Sequence, residues 1–239
     1  MLQRMASVEE RRGEEVLTLA EEEPELSAET FSVLAEFYRE QEEREMRQAE
    51  AAAGAVEPEV AEDWQLSQFW YSEDTATVLA RAVAAAVGEG EARIACVSAP
   101  TLYRAIKKLD KPNLQASVFE YDTRFAVHGQ DFHFYDYKSP LDLDRGLREQ
   151  FDLVFADPPF LSEECLTKTA VTVRYLAREP HRLVLCTGEV MAELAARLLD
   201  LKICDFHPQH TNNLANQFRC FANFDLDSHI AVKGEVEDS

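Results

Sequence analysis

Residues 151–155, with the sequence FDLVF, constrain the fold more than any other segment. Four of the five are apolar, and their valine and phenylalanine side chains favour extended backbone, which is typical of an inner strand of a parallel sheet. The strand runs into the sequence ADPPF at residues 156–160, where two prolines with fixed φ and no N–H prevent further pairing. Asp157 therefore follows the carboxyl end of a buried strand, which is where open α/β sheets bind their ligands.

Strand-like and helix-like segments alternate from residue 73 to residue 223. We predict strands at residues 93–98, 116–120, 131–135, 151–155, 182–186, 202–207 and 218–223. We predict helices at residues 73–87, 101–109, 162–177 and 189–199. This alternation predicts an α/β fold in which a mostly parallel sheet of roughly seven strands carries helices on both faces. No helix pattern separates the last two strands, so we expect them to form an antiparallel pair.

Changes in composition divide the chain into three regions. Residues 1–24 are rich in glutamate and poor in aromatic residues, which predicts an acidic, disordered tail. Residues 25–60 are predicted to hold an N-terminal helix, with Ser27 as its N-cap, followed by a linker. Residues 61–239 carry the alternating pattern and are predicted to form the α/β domain.

The formal net charge of the 239-residue chain is −21. Nucleic-acid-binding proteins normally present a positive surface to phosphate groups. The small cluster of Lys107, Lys108 and Lys111 is too weak to provide one. The charge therefore disfavours a nucleic-acid partner and suits a basic protein, although in many proteins acidity serves solubility alone.

The cysteines and histidines do not form metal-binding motifs. The five cysteines lack CxxC spacing, and we expect them to be buried and reduced, without zinc or disulfide bonds. His207 and His210 lack a third ligand, so no metal site is predicted. The chain has no apolar run of eighteen residues and no secretory signal, so we expect no membrane span and a cytoplasmic location.

The turn at residues 157–160 has the chemistry needed to hold an amino group. Asp157 supplies a carboxylate, and the two prolines contribute carbonyl oxygens without N–H donors. Phe160 adds a flat apolar face. An amine that approaches this turn meets hydrogen-bond acceptors, although the same residues could also form a proline-stopped turn without chemistry.

The ADPPF turn resembles the [Asp/Asn]-Pro-Pro-[Phe/Tyr] motif of the N6-adenine-type methyltransferases. The resemblance extends, in order and at sensible spacings, to QFWYS at residues 68–72, SAPT at 98–101 and FEYD at 119–122. This set resembles the branch of that family whose members methylate a lysine of elongation factor 1-alpha, and it covers roughly residues 26–239. The resemblance implies a Rossmann-like class I methyltransferase fold over residues 61–239 and S-adenosyl-L-methionine as the cofactor.

The resemblance also implies the catalytic residues, which are Asp157, Pro158, Pro159 and Phe160. The Asp157 side chain and the carbonyl groups of Asp157 and Pro158 would orient the acceptor amine, while Phe160 would pack against the lysine. The residues leave open whether Asp157 also accepts a proton.

Cofactor-binding residues are predicted at the ends of the first two strands. Methyltransferases usually have a glycine-rich turn after the first strand, whereas this chain has Ser98, Ala99 and Pro100, of which the two small residues could allow the same close approach. The resemblance assigns Glu120 to the ribose hydroxyls, because a carboxylate offers two acceptors to the two donors of a diol. Asp122 is a second candidate, and an ordinary solvated acid is the alternative for both.

Further cofactor contacts are implied after the third strand and before the first helix. Asp136 matches the residue that holds the adenine amino group, and Tyr137 would flank the ring. Phe69 and Tyr71 match a segment that packs near the methionine end of the cofactor or near the acceptor. A turn aspartate and an aromatic core cluster are the corresponding structural alternatives.

The resemblance therefore implies a protein-lysine N-methyltransferase that acts on elongation factor 1-alpha in the cytoplasm. A nucleic-acid N6-adenine methyltransferase is one alternative, since it would share the turn but would need a basic surface. A Rossmann-like binding module without activity is another, because the glycine turn is missing. The intact ADPPF sequence argues against this second alternative.

Overall fold

The computed structural model describes residues 60–63, 68–212 and 217–231. All of these residues belong to the second of the two units into which the chain divides, Glu59–Ser239. The predicted tail and almost all of the predicted N-terminal helix and linker lie outside the described residues. The two boundaries between the three predicted regions therefore stay predictions.

Seven strands and five α-helices form within the described residues. The strands are β1 (Ala92–Val97), β2 (Leu114–Glu120), β3 (Phe132–Phe134), β4 (Phe151–Ala156), β5 (Ala177–Gly188), β6 (Lys202–Ile203) and β7 (Phe218–Ala222). The α-helices are α1 (Glu73–Val87), α2 (Pro100–Lys108), α3 (Glu163–Leu176), α4 (Ala192–Leu199) and α5 (Leu226–Ala231). Short 3-10 helices span Thr123–Asp131, Arg145–Leu147 and Glu189–Met191.

The strands form one sheet in the order β3-β2-β1-β4-β5-β7-β6. Strands β1 to β5 pair in parallel, whereas β7 is antiparallel to both β5 and β6. The predicted mostly parallel sheet and its closing antiparallel pair are both confirmed. The strand order reverses between β1 and β4, and this position is where open α/β sheets form their ligand crevice.

The sheet is buried on both faces, so two apolar cores hold the domain together. Helices α1, α2 and α5 cover one face, with Leu79, Leu102 and Leu226 among the buried contacts. Helices α3 and α4 cover the other face, with Leu166 and Leu194 in the core. Both faces need apolar residues, which explains why the inner strands show little polar alternation.

Helix starts follow the capping signals of the sequence. The Ser72 hydroxyl accepts a hydrogen bond from the Thr75 N–H and caps α1. The Ser162 hydroxyl accepts one from the Cys165 N–H and caps α3. Both caps satisfy N–H groups that the first helical turn leaves without partners. Because α3 begins directly after the ADPPF turn, its cap also fixes where that turn ends.

The structure departs from the predicted elements mainly where polar residues extend or interrupt them. Strand β5 begins at Ala177 rather than 182, because its first part is exposed and carries no apolar signal. The helix predicted at 189–199 starts as the 3-10 helix Glu189–Met191 before α4 begins. Helix α5 was not predicted, since one buried residue, Leu226, anchors most of it.

The cysteines are all buried and free, as predicted. Cys186 and Cys220 lie opposite each other on β5 and β7, with their sulfur atoms 3.0 Å apart. Within the described ranges, none of the helices has the length and apolar character needed to cross a membrane.

Candidate active site

A cavity of about 540 Å³ opens at the carboxyl ends of the central strands. Its volume lies in the range that small-molecule and cofactor sites occupy. All eleven residues that the sequence predicted for the site line this cavity: Phe69, Tyr71, Ser98, Ala99, Glu120, Asp136, Tyr137, Asp157, Pro158, Pro159 and Phe160. Their individual roles stay predictions.

Backbone hydrogen bonds bring the strand ends together around the cavity. The Asp157 N–H donates to the Val97 carbonyl at 2.9 Å, so the turn after β4 lies against the end of β1. The Ser98 N–H donates to the Phe119 carbonyl at 2.8 Å, which ties β1 to the end of β2. Parallel pairing thus brings together residues that are about twenty to sixty positions apart in the sequence.

Ser98 takes over the conformation that a glycine would adopt in this turn. Its φ is 52°, in the left-handed region that side chains disfavour. The next residue, Ala99, is the N-cap of α2, and Pro100 occupies the first turn, where its missing N–H costs nothing. A tight strand-to-helix turn therefore forms without the usual glycines, with small side chains facing the cavity.

Glu120 is a buried acid at the cavity wall. Its Oε1 accepts hydrogen bonds from the N–H groups of Tyr121 and Asp122, at 3.0 and 3.2 Å. Within the described part of the chain, its other oxygen accepts no hydrogen bond. Burial raises the pKa of Glu120 to about 7. The side chain is thus a fixed carboxyl group with one acceptor oxygen to spare.

Asp122 is engaged elsewhere and does not line the cavity. The Arg124 guanidinium contacts both of its oxygens, and the Gln68 amide donates to Oδ2 at 2.9 Å. Burial alone would raise the pKa of Asp122, but these hydrogen bonds outweigh it and lower the pKa below its usual value. Of the two acids at the end of β2, the cavity therefore presents Glu120.

Asp157 lines the cavity and pairs with a buried tyrosine. The Tyr71 hydroxyl donates a hydrogen bond of 2.6 Å to Asp157 Oδ2. Burial raises the pKa of Asp157 to about 7, the Tyr71 hydrogen bond opposes this rise, and the nearby Glu120 adds to it. Because Oδ2 is occupied, Oδ1 is the oxygen left for a ligand.

Tyr71 is itself held by a distant segment of the chain. The Ser72 N–H donates to the Gln209 carbonyl, and the Thr211 N–H donates to the Trp70 carbonyl, both at 2.8 Å. The two segments form a short antiparallel bridge between Tyr71 and His210, whose ring centroids are 5.1 Å apart. The position of Tyr71 is therefore fixed by tertiary contacts that its own sequence surroundings do not reveal.

The residues that follow the third strand meet the end of the ADPPF turn in one wall of the cavity. Asp136 accepts the Lys138 N–H through Oδ1 at 2.9 Å. The rings of Tyr137 and Phe160 meet edge to face, with centroids 5.6 Å apart. Phe160 remains 42% exposed, so this aromatic pair borders the mouth of the cavity.

Among the cavity residues that sequence reasoning missed are His210 and Phe218. Their rings lie 5.0 Å apart. Because β7 is antiparallel, it begins beside the end of β5, where Phe218 pairs with Gly188. The strand direction brings Phe218 to the site and the bridge to Tyr71 brings His210 there, and no local motif signals either residue. Among the described residues, no group of three His, Cys, Asp or Glu side chains could hold a metal ion.

Comparison with protein families gives a match to the model described as "Probable N6-adenine methyltransferase", over residues 62–226. The matched region includes β1 to β7 and every residue of the cavity. The chain belongs to this family.

Curated relatives cover nearly the whole chain. The chain is 51% identical over 208 residues to the human protein named "EEF1A lysine methyltransferase 1", which spans 86% of this chain and 94% of that protein. It is 43% identical over 209 residues to "Protein-lysine N-methyltransferase M142.8" from Caenorhabditis elegans, covering 84% and 94% of the two chains.

The fold is also found in solved structures. The branched-chain polyamine synthase C9 mutein from Thermus thermophilus, solved with N4-aminopropylspermidine and 5'-methylthioadenosine, matches with a TM-score of 0.53. The match covers 74% of this chain and 62% of that chain at 14% identity. This likeness concerns the fold alone. Together with the family match and the observed strand order, it confirms the predicted Rossmann-like class I methyltransferase fold.

Proposed function

We propose that this protein is an S-adenosyl-L-methionine-dependent protein-lysine N-methyltransferase that acts on elongation factor 1-alpha. The observation that carries the proposal is the near-full-length identity of 51% to a relative named for that activity. The site geometry supports it, because an acidic turn that suits an amine lies in a cofactor-sized cavity. We also propose that the enzyme works in the cytoplasm, where translation factors act.

The cavity fits the cofactor chemically. Glu120 is buried and keeps one carboxylate oxygen free of partners within the described residues, and such a group suits a ribose hydroxyl donor. Ser98 and Ala99 leave room for close approach of a ligand at the start of α2. Asp136 and Tyr137 would accept the adenine amino group and flank its ring. When bound, the cofactor supplies an electrophilic methyl group on a sulfonium.

Asp157 is proposed to hold the acceptor amine. With Oδ2 taken by Tyr71, Oδ1 and the Asp157 and Pro158 carbonyl oxygens can each accept an amine N–H. When the N–H groups of the amine point to these oxygens, the lone pair of the nitrogen points away from the turn, towards the cofactor-binding residues. Pro159 stiffens the turn, and Phe160 would pack on the aliphatic part of the lysine.

Tyr71 acquires a different role from the one that the resemblance implied. Its hydroxyl contacts Asp157, so we propose that it positions the amine-binding carboxyl rather than the cofactor. The hydrogen bond also stabilises the charged form of Asp157 against the effect of burial. At neutral pH the carboxyl group is then ionised in a substantial fraction of molecules.

The acceptor lysine must lose a proton before its nitrogen can react. A free lysine has a pKa of about 10.4, so its neutral form is scarce at pH 7. Burial of the ammonium in the cavity favours the neutral form. With a pKa of about 7, Asp157 Oδ1 is also suited to accept that proton.

A nucleic-acid acceptor is the second candidate, favoured by the description of the family model. The adenine amino group would fit the same turn. The net charge of −21 opposes it, because phosphate binding needs a compensating basic surface. We therefore propose a basic protein as the acceptor and no nucleic-acid partner.

The test is incubation of the protein with cofactor carrying a labelled methyl group, in a cell extract and with purified elongation factor 1-alpha. We expect label in a lysine of that factor, sensitive to protease and resistant to nuclease. Label in nucleic acid alone would support the adenine enzyme instead. Cofactor binding without any transfer would support the inactive binding module.

A further inference from the structure

Three apolar side chains form a continuous ridge from the mouth of the cavity outwards. They are Phe160, Leu161 and Val190, which we call the apolar ridge. Phe160 and Leu161 line the cavity. Leu161 packs closely over Gly188, since a Cβ atom added to Gly188 would lie only 3.0 Å from the Leu161 side chain. The Val190 side chain would lie 3.6 Å from that Cβ atom, so Val190 is beside Leu161. The ridge therefore starts at the proposed amine-binding turn and ends on the open surface.

Val190 has no part in the core of the domain. It is 82% exposed, the highest value among the exposed large apolar residues of the described chain. Its neighbour Met191 is buried and anchors the 3-10 helix Glu189–Met191. A single exposed valine needs no explanation, but one that continues a cavity-lining ridge indicates a contact surface.

Charged residues of both signs lie beside the apolar ridge. Glu163 and Glu164, directly after the ridge in the first turn of α3, and Glu189, beside Val190, are exposed. Two of them have ion-pair partners, because Lys168 contacts Glu164 and Arg219 lies 3.8 Å from Glu189. Within the described residues, Glu163 has no ion pair. Because Lys168 and Arg219 offset two of these charges and Lys138 lines the cavity, Glu163 is the carboxylate left to pair with a basic residue of the partner.

We propose that the apolar ridge is the docking surface for the polypeptide next to the acceptor lysine. This inference rests on the proposed function and specifies its substrate. The partner is a protein segment with an apolar side chain close to the methylated lysine and a basic residue beyond it. The apolar side chain contacts Leu161 and Val190 while the lysine passes Phe160 towards Asp157.

The test compares Val190→Asp with the wild-type protein. A carboxylate on the ridge must be desolvated when the partner docks, and the apolar contact is lost. The KM for purified elongation factor 1-alpha should rise about ten-fold or more, while kcat and the Kd for S-adenosyl-L-methionine stay close to wild type. Val190→Leu, which keeps an apolar side chain, should retain a near wild-type KM.

The matched control is Val127→Asp. Val127 is also an exposed valine in a 3-10 helix, 40% exposed, and it does not line the cavity. This control should leave the KM unchanged. An unchanged KM in Val190→Asp, a weaker cofactor Kd in that variant, or an equal rise in Val127→Asp would each overturn the proposal.

The same variants separate this inference from the proposed function. If the wild-type protein labels a different protein of a cell extract, elongation factor 1-alpha is not the acceptor, and the variants still compare docking on the protein that is labelled. If the wild-type protein labels nucleic acid alone, both proposals are wrong.

Discussion

Asp157 and Glu120 have a raised pKa of about 7 for the same reason, because each loses water when the strands converge. Their surroundings differ, since a tyrosine hydroxyl donates to Asp157 and backbone N–H groups donate to Glu120. We assign Asp157 to the acceptor and Glu120 to the cofactor on this basis. Buried acidic residues with a raised pKa are typical of functional sites, although structural ion-pair networks also shift pKa values.

Tyr71→Phe tests whether the tyrosine acts through Asp157. Loss of the hydroxyl removes the hydrogen bond that lowers the pKa of Asp157, so this pKa should rise by roughly one unit. The acid limb of the kcat/KM pH profile should then move to higher pH, with the cofactor Kd unchanged. Tyr103→Phe is the matched control, since Tyr103 donates to Asp131 outside the cavity at 2.9 Å.

A double-mutant cycle makes the same test independent of the pH profile. In an Asp157→Asn background, Tyr71→Phe should have little further effect on single-turnover transfer, because the group it positions has changed. Additive losses, or a pH profile that stays in place, would show that Tyr71 does not act through Asp157.

Glu120→Ala tests the proposed ribose contact. Removal of a hydrogen bond to a charged group should weaken S-adenosyl-L-methionine binding by roughly 1.5–3 kcal/mol. Calorimetry measures this Kd, with the exposed Glu89→Ala as control. The wild-type Kd should also rise as the pH falls below about 7, when Glu120 is protonated. Unchanged affinity in a folded Glu120→Ala protein would remove this residue from the site.

Among the elements, those with a strong apolar pattern could be predicted from the sequence, and those fixed by tertiary contacts could not. Helix α1 forms over Glu73–Val87, as predicted, since it has both an N-cap and a continuous apolar face. Strand β6 is shorter than predicted, because Lys202 and Ile203 are exposed at a sheet edge. The segment around His210 reaches the cavity only through its bridge to Tyr71.

The turn between β1 and α2 gives a prediction at the scale of this element. Ser98 adopts a φ of 52°, which costs a side chain about 1–2 kcal/mol. Ser98→Gly should therefore raise the free energy of unfolding by about 0.5–1 kcal/mol, since part of the relief is offset by the more flexible unfolded chain. Ser98→Val should lower it, because a β-branched residue suits this region least. Urea unfolding measures the free energy of unfolding of both variants. A Ser98→Gly protein that is less stable than wild type would contradict backbone strain at Ser98.

For the molecule as a whole, the buried acids make stability depend on pH. The folded state holds the Glu120 proton more tightly than the unfolded state, in which the usual pKa is 4.5. This contribution to stability is fully present below pH 4.5 and is lost as the pH rises through about 7. The shift corresponds to a difference on the order of 3 kcal/mol.

Glu120→Gln should therefore stabilise the domain at pH 8 and have little effect at pH 4.5, as measured by thermal unfolding at both values. The same variant should bind the cofactor less tightly, which is the usual conflict between stability and a functional site. A Glu120→Gln protein that is less stable than wild type at pH 8 would contradict the raised pKa.

The central claim is that the turn of this methyltransferase domain holds a lysine amine through Asp157. The most direct measurement compares transfer to purified elongation factor 1-alpha by the wild type, Asp157→Ala and Asp157→Asn, alongside the cofactor Kd of each. Asp157→Ala should keep most of its cofactor affinity and lose about 10²-fold or more of its transfer rate, because the amine is no longer oriented. Asp157→Asn should keep more activity than Ala if orientation dominates, and no more than Ala if the carboxylate must accept the proton. Near wild-type transfer by both variants, or a loss of cofactor binding as large as the loss of transfer, would contradict the account.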